Sequence, residues 1–272
     1  IIYSHSNIDD ENQSVSEVGI HTTAIDTKTE NHVGVIPSEN EYSVLKDEVN
    51  LTKLVPGARY VVEGVLVDIN ASDFKNGKIM YLTTEGTLTE DRAKAYKETT
   101  LFAAKETDEV HYLNFGLTSD MVQGRALTVF EDVYHNEIKI SSHPAKADVD
   151  KWDESSFQNQ TVYYPTGKTN ATDNTTGNHT SYASGERTVV DSVYFENFIV
   201  GENYEIDGQL VYQSDFTDSE GVVHKAGDPL DGAAKAVKFT ASDSMVEVAY
   251  ADSEETVKVD SLNVTTLPNG QK

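Results

Sequence analysis

The chain has 272 residues, enough for one large domain or two of ordinary size, and carries 46 acidic against 21 basic residues for a formal net charge of −25. That balance excludes a nucleic-acid partner, whose phosphates demand a basic footprint, and an anionic membrane surface would repel it. There is no cysteine, so any covalent staple in a secreted β protein of this kind is something other than a disulfide. No Asp-x-Asp-x-Asp-Gly loop is present to hold calcium, and no metal or cofactor is expected. No apolar run is long enough to cross a membrane, and no signal peptide or lipidation motif is seen.

In chain order, the sequence opens on His5-Ser-Asn-Ile-Asp-Asp10-Glu-Asn-Gln13-Ser-Val, followed by a Thr-rich strand opening, His21-Thr22-Thr23-Ala24-Ile25-Asp26. Pro56-Gly57 signals a turn, the β-branched run Tyr60 to Leu66 a strand, and Asn76-Gly77 another turn. Glu90 to Ala104, rich in Ala, Lys and Glu, is the one helix candidate. Leu127 to Glu131 and Glu137 to Ile140 read as consecutive strands around a turn at His135-Asn136. His143 and then Gln160-Thr161-Val162 follow, and Tyr164-Pro165-Thr166-Gly167 makes a short connection to a second opening strand, Thr169-Asn170-Ala171-Thr172-Asp173. Val246 to Tyr250 reads as a late strand and Leu267-Pro268-Asn269-Gly270 as a turn.

An internal repeat organises these pieces. Asp47, Gly57, Tyr60 and Gly64 recur at one common spacing as Asp191, Gly201, Tyr204 and Gly208, and Ala93-Lys-Ala-Tyr-Lys97 reappears as Ala234-Lys-Ala-Val-Lys238. Many short strands with frequent turns predict an all-β chain of tandem immunoglobulin-like β-sandwich domains. The expected division is a closing strand of a preceding repeat at 1–17, a complete domain at 18–165, and a second repeat at 166–272 that stops before its last strands. A linker this short favours a stiff rod.

Thr22, Asp47, Pro56-Gly57-x-x-Tyr60, Val129-Phe130-Glu131 and His143 with Gln160-Thr161-Val162 together resemble the Thr–Gln ester-bond domains of Gram-positive surface adhesins. The resemblance covers nearly the whole chain. It implies an autocatalytic bond between a Thr hydroxyl on the first strand and a Gln carboxamide on the last, with ammonia released. The residue types suit that chemistry. A Thr hydroxyl needs a positioned base, the amide carbonyl needs its developing oxyanion stabilised, and two unreactive groups need to be held together away from water.

The register of the repeat selects the partners. Ala24 and Asp26 share one spacing with Ala171 and Asp173, which matches Thr22 to Thr169 and Thr23 to Asn170, so Thr22 is the expected nucleophile. Gln160 is preferred over Gln158 because Gln160-Thr-Val matches Gln13-Ser-Val. His143 and Glu131 are the expected catalytic groups. In the N-terminal copy His5 lies eight residues before Gln13, with Asp10 between them, whereas Phe157 takes the Asp position before Gln160. An insertion, Lys151-Trp152-Asp153-Glu154-Ser-Ser, separates His143 from Gln160, and Asp148, Asp150 or Asp153 could supply that acid, with Asp150 expected beside Glu131. Thr169, His5, Asp10 and Gln13 are then the repeat counterparts of the crosslinking set.

The expected function is a structural stalk of an extracellular, cell-wall-anchored adhesin, with neighbouring repeats as its partners and a host surface ligand bound elsewhere in the parent protein. The alternative is an immunoglobulin-like module whose loops, in a chain with 14 Tyr, bind a host glycan or protein. No carboxylate pair falls in a hydrolase motif, and no turnover enzyme is expected.

Overall fold

A computed structural model describes residues 17–144, 159–181, 188–218, 220–241, 247–249 and 256–258. The chain divides between Tyr164 and Pro165 into two units. The first contains β1 (Gly19–Asp26), β2 (Ser43–Thr52), β3 (Arg59–Asp68), β4 (Tyr81–Leu82), β5 (Leu88–Thr89), β6 (Lys97–Ala103), β7 (Glu109–Leu117), β8 (Ala126–His135), β9 (Ile138–His143) and β10 (Thr161–Tyr163). Two one-turn helices, Ser72–Lys75 and Ser119–Val122, punctuate them.

β1, β2 and β7 form a three-stranded antiparallel sheet, and the remaining strands form a second sheet built around β3 and β8. Ser43, Leu45, Asp47, Val49 and Leu51 alternate inward along β2, as a half-buried strand requires. β8, by contrast, is buried on both faces over most of its length. Leu45, Val49, Leu113 and Phe115 from one sheet share a core with Val62, Leu66, Val129 and Val133 from the other. Gly64 lies under that contact. A Cβ there would come within 2.5 Å of Leu113 and 3.3 Å of Phe115, so glycine is required by the closeness of the opposing side chains.

The edge of β8 opposite β3 is shared by two strands. β10 pairs with Ala126 to Thr128, and β9 pairs from Glu131 to His135. Val129-Phe130-Glu131 therefore marks the handover between them.

In the second unit, β11 (Thr166–Asp173) pairs with β12 (Val189–Glu196) and β13 (Asn203–Val211) with β16 (Pro229–Thr240). β14 (Phe216–Thr217) pairs with β15 (Val223–His224), and β17 (Glu247–Ala249) with β18 (Thr256–Lys258). A small aromatic core joins Phe195, Phe198, Tyr204 and Phe239. The repeated Gly and Tyr have the same use in both units. Gly57 (φ 85°) and Gly201 (φ 92°) take the left-handed conformation. Tyr60 and Tyr204 each turn back to accept a bond from the backbone N–H five residues earlier, Val55 and Ile199, both at 3.0 Å.

The structure changes two sequence expectations. Glu90 to Ala104 is not a helix: a single 3-10 turn at Arg92–Lys94 leads into strand β6. The alternating exposure of Lys97 to Ala103 and pairing with β3 override the helix propensity of Ala, Lys and Glu. The Ala-Lys-Ala match is also out of register. Tyr60 faces Phe102 and Gly64 faces Glu98, while Tyr204 faces Phe239 and Gly208 faces Lys235. Ala234 to Lys238 is thus the counterpart of Lys97 to Leu101, not of Ala93 to Lys97. The hairpin between β8 and β9 forms as expected, with Asn136 and Glu137 both left-handed at its tip.

Candidate functional site

The site lies where the first strand passes the handover on β8. On β1 the alternation buries Thr22, Ala24 and Asp26 and leaves Thr23 half-buried on the opposite face. β1 lies alongside both β9 and β10. The Thr22 hydroxyl is 3.0 Å from Nδ1 of His143, the last residue of β9. His143 is paired across the ladder with Glu131, whose Oε2 is 3.6 Å from the same ring nitrogen.

Gln160 immediately precedes β10 and is fully buried. Its Nε2 donates to the Val129 carbonyl at 3.0 Å and to Glu131 Oε2 at 2.7 Å. The Val129 oxygen can only accept, so the amide nitrogen must face it. Gln160 Oε1 is left buried with no hydrogen-bond partner among the described residues. This amide oxygen is thus already desolvated.

Asp47 completes the group. It occupies the core-facing position between Leu45 and Val49, opposite Ala24 on β1, and is fully buried. Among the described residues its two carboxyl oxygens and Glu131 Oε1 meet no ordinary donor, and its close polar neighbour is the Glu131 carboxyl. Two carboxyl groups can bond only through a shared proton. Burial, reinforced by the Glu131 charge, holds Asp47 well above the usual carboxylate range. Burial likewise pushes Glu131 up to about 8, against the bonds it receives from Asp47 and Gln160. At neutral pH the pair retains a proton beside the His143 imidazole.

A family model described as the T-Q ester bond containing domain matches residues 18–164 and again residues 165–270. The chain belongs to the T-Q ester bond containing domain family. Among solved structures, a bacterial adhesin from Mobiluncus mulieris containing intramolecular disulfide, isopeptide and ester bond cross-links is similar in two space groups. The P1 form is 12% identical over 83% of this chain and 99% of that chain, with a TM-score of 0.40. The P21 form is 13% identical over 78% and 94%, with a TM-score of 0.39. No curated protein sequence matches.

Within the first T-Q domain the structure gathers Thr22, Glu131, His143 and Gln160, and adds Asp47. In the sequence Asp47 stands among the repeated residues and those that carry the resemblance, but not among the expected catalytic groups. The signal was available: a carboxylate at an inward position of an alternating strand, recurring as Asp191. Asp150, Asp148, Asp153 and Gln158 lie outside the described residues, as do His5, Asp10 and Gln13. Among the described residues, the carboxyl groups beside Thr22, His143 and Gln160 are those of Asp47 and Glu131.

In the second T-Q domain Thr169 lies in β11 and Asp191 in β12 in the same register, with Ala171 opposite Asp191 as Ala24 is opposite Asp47. Both Thr169 and Asp191 are exposed.

Proposed function

We propose that the first T-Q domain forms an autocatalytic ester between Thr22 and Gln160, joining its first strand to its last, and that the chain is part of the stalk of a bacterial cell-surface adhesin. The observation that carries the crosslink is the placement of a buried Thr hydroxyl at 3.0 Å from an imidazole whose carboxylate neighbour holds the Gln160 amide at 2.7 Å.

The steps balance without an added reagent. His143 Nδ1 takes the hydroxyl proton as Thr22 Oγ1 attacks the Gln160 carboxamide carbon. The proton held between Asp47 and Glu131 stabilises the charge that develops on Oε1. When the tetrahedral intermediate collapses, the C–Nε2 bond breaks and the leaving nitrogen takes up the proton given to His143, so that one alcohol and one amide become one ester and one ammonia. Burial of Thr22, Asp47, Glu131 and Gln160 keeps water from competing and protects the ester afterwards. Each chain reacts once, so this is maturation and not turnover.

The stalk role follows from the covalent tie. Force applied at the two ends of such a domain meets a bond between the first and last strands and does not peel the sheets apart. An acidic, cysteine-free chain of repeated units suits a secreted rod on a cell surface. Intact mass of the purified, denatured chain tests the crosslink. Loss of one ammonia, with digestion yielding a peptide that joins the Thr22 and Gln160 segments, is expected; a full-mass chain overturns it.

A further inference from the structure

A second repeated motif sits beside the crosslinking set. The turn leaving β1 reads Asp26-Thr-Lys-Thr29-Glu-Asn31-His32, and the turn leaving β11 reads Asp173-Asn-Thr-Thr176-Gly-Asn178-His179. Asp, Thr, Asn and His all recur at the spacing that relates Thr22 to Thr169. The two turns have the same internal wiring. Asp26 N–H bonds the Asn31 carbonyl and Asp173 N–H the Asn178 carbonyl, both at 2.9 Å. Asn31 Oδ1 accepts from the N–H two residues on at 2.7 Å, and Asn178 Oδ1 does so at 2.8 Å. Thr29 and Thr176 each donate to the carbonyl four residues on, at 2.6 Å. The residue before each Asn is left-handed, Glu30 at φ 56° and Gly177 at φ 67°.

What differs is the object of the imidazole. In the first unit His32 Nδ1 is 3.0 Å from the Thr161 carbonyl, on the residue after Gln160. Beside that bond, Tyr163 N–H donates to the His32 carbonyl at 2.8 Å and Gly34 N–H to the Tyr163 carbonyl at 2.7 Å. The turn thus adds a short parallel ladder to β10. In the second unit His179 Nδ1 is 2.9 Å from the carbonyl of Ala171, on its own opening strand, and among the described residues β11 pairs with β12 alone.

We propose that the Asn-His turn is a latch for the closing strand, and that His32 is a positioning residue for ester formation. His32 grips the carbonyl next to Gln160 and fixes the carboxamide against Thr22. His179 shows the latch in its second position, bonded locally. Gln160 reaches the site from a three-residue strand whose pairing with β8 covers only Ala126 to Thr128. The ladder to residues 32–34 is its support on the other side. Losing one bond of that clamp leaves the fold intact while letting the reacting carbon drift, and attack is steeply sensitive to such drift.

This inference rests on the Thr22–Gln160 crosslink, and its test separates the two. The full chain is synthesised in a cell-free system, samples are quenched in acid over time, and ammonia loss is followed by intact mass. Alanine at position 32 is expected to slow the loss roughly five- to tenfold, the effect of one removed hydrogen bond. His32→Asn places an amide nitrogen near the site of Nδ1 and is expected to recover most of the rate. His179→Ala leaves the rate unchanged and serves as the control for altered turn folding. If the unaltered chain never loses ammonia, the crosslink itself fails and the latch with it. If the unaltered chain and His32→Ala react equally fast, the crosslink stands and the latch is overturned. Equal slowing by Ala and Asn also overturns it, because the hydrogen bond is then not the cause.

Discussion

Thr22 and Thr169 occupy the same place on equivalent hairpins, yet Thr22 is fully buried against His143 and Thr169 is exposed on β11. Asp47 and Asp191 differ in the same way. The local devices are common to both units: the Tyr that turns back to a backbone N–H, the left-handed Gly, the Asn-His turn and the register of the opening hairpin. Burial is not common to both. Local turn chemistry and alternation specify the hairpin by themselves, whereas the reactive environment is made by residues far away in sequence. Glu131, His143 and Gln160 surround a hairpin Thr and take it out of water. A buried Thr at this position is therefore a property of the closed sandwich and not of the strand that carries it.

The largest effect should come from removing the bond. Thr22→Ala and Gln160→Ala are each expected to abolish the ammonia loss. By the chain-entropy analogy with a disulfide closing so long a loop, each should cost about 5 kcal/mol. For a unit of this size that lowers the melting transition by on the order of 10 °C or more. Calorimetry beside intact mass measures both. If either variant keeps the mass deficit, the bond is elsewhere.

Next come the groups that run the reaction. Asp47→Asn, Glu131→Gln and His143→Ala are each expected to slow bond formation by about 10²–10⁴-fold, the range for a positioned acid or base. The carboxyl pair also predicts a pH dependence of stability. Both folded-state values are raised, so the folded state binds more protons than the unfolded chain, and stability falls as pH rises. For Glu131 the contribution is fully present below its ordinary value of 4.5 and is lost as pH rises through about 8. Thr22→Ala, which removes the bond but keeps the pair, should unfold at progressively lower urea from about pH 5 to about pH 8. Adding Glu131→Gln should flatten that slope. An unchanged slope in the double variant would mean that other groups carry it.

A smaller effect tests how far the units share their hardware. Tyr60→Phe and Tyr204→Phe each leave one backbone N–H, at Val55 and Ile199, without its acceptor, at a cost of about 1–2 kcal/mol. Similar losses in both variants are expected, each confined to its own unit in hydrogen exchange. A loss in only one would show that the equivalence is geometric but not energetic.

The architecture and most of the site were legible in the sequence because the signals were local or repeated. Alternation gave β2 and β3, the turn residues gave the β8–β9 hairpin, and the spacing of Thr22 to Ala24 and Asp26 chose Thr22 over Thr23. Three things were not legible, each for a physical reason. Glu90 to Ala104 as a whole is rich in Ala, Lys and Glu, and the pairing of Lys97 to Ala103 with β3 makes its second half a strand. The Ala-Lys-Ala match was compositional, and Tyr60 facing Phe102 corrected it. Asp47 was visible as a repeated acid, but nothing in one strand reveals that a carboxylate from the opposing sheet will meet it. The Asn-His turn was legible in retrospect, since Asn31-His32 and Asn178-His179 share the spacing already used to align Thr22 with Thr169.

The smallest effect is a null, and it decides whether burial or strand identity makes the nucleophile. Thr169→Ala is expected to leave the mass deficit at one ammonia per chain. Thr169 has the register of Thr22 but is exposed, as is Asp191, so its hydroxyl is hydrated and any ester formed there would be open to water. If register alone sufficed, the unaltered chain would lose two ammonias and the variant one. A second possibility is that Gln13, which precedes Thr22 by the same interval that separates Gln160 from Thr169, reacts with Thr169 of another molecule by adding as a strand beside β11. A denaturing gel separates these outcomes. A single monomer band, unchanged in Thr169→Ala, supports a dependence on burial. Covalent dimers or ladders that vanish in Thr169→Ala would mean that a neighbouring chain can supply the enclosure that makes this second threonine reactive.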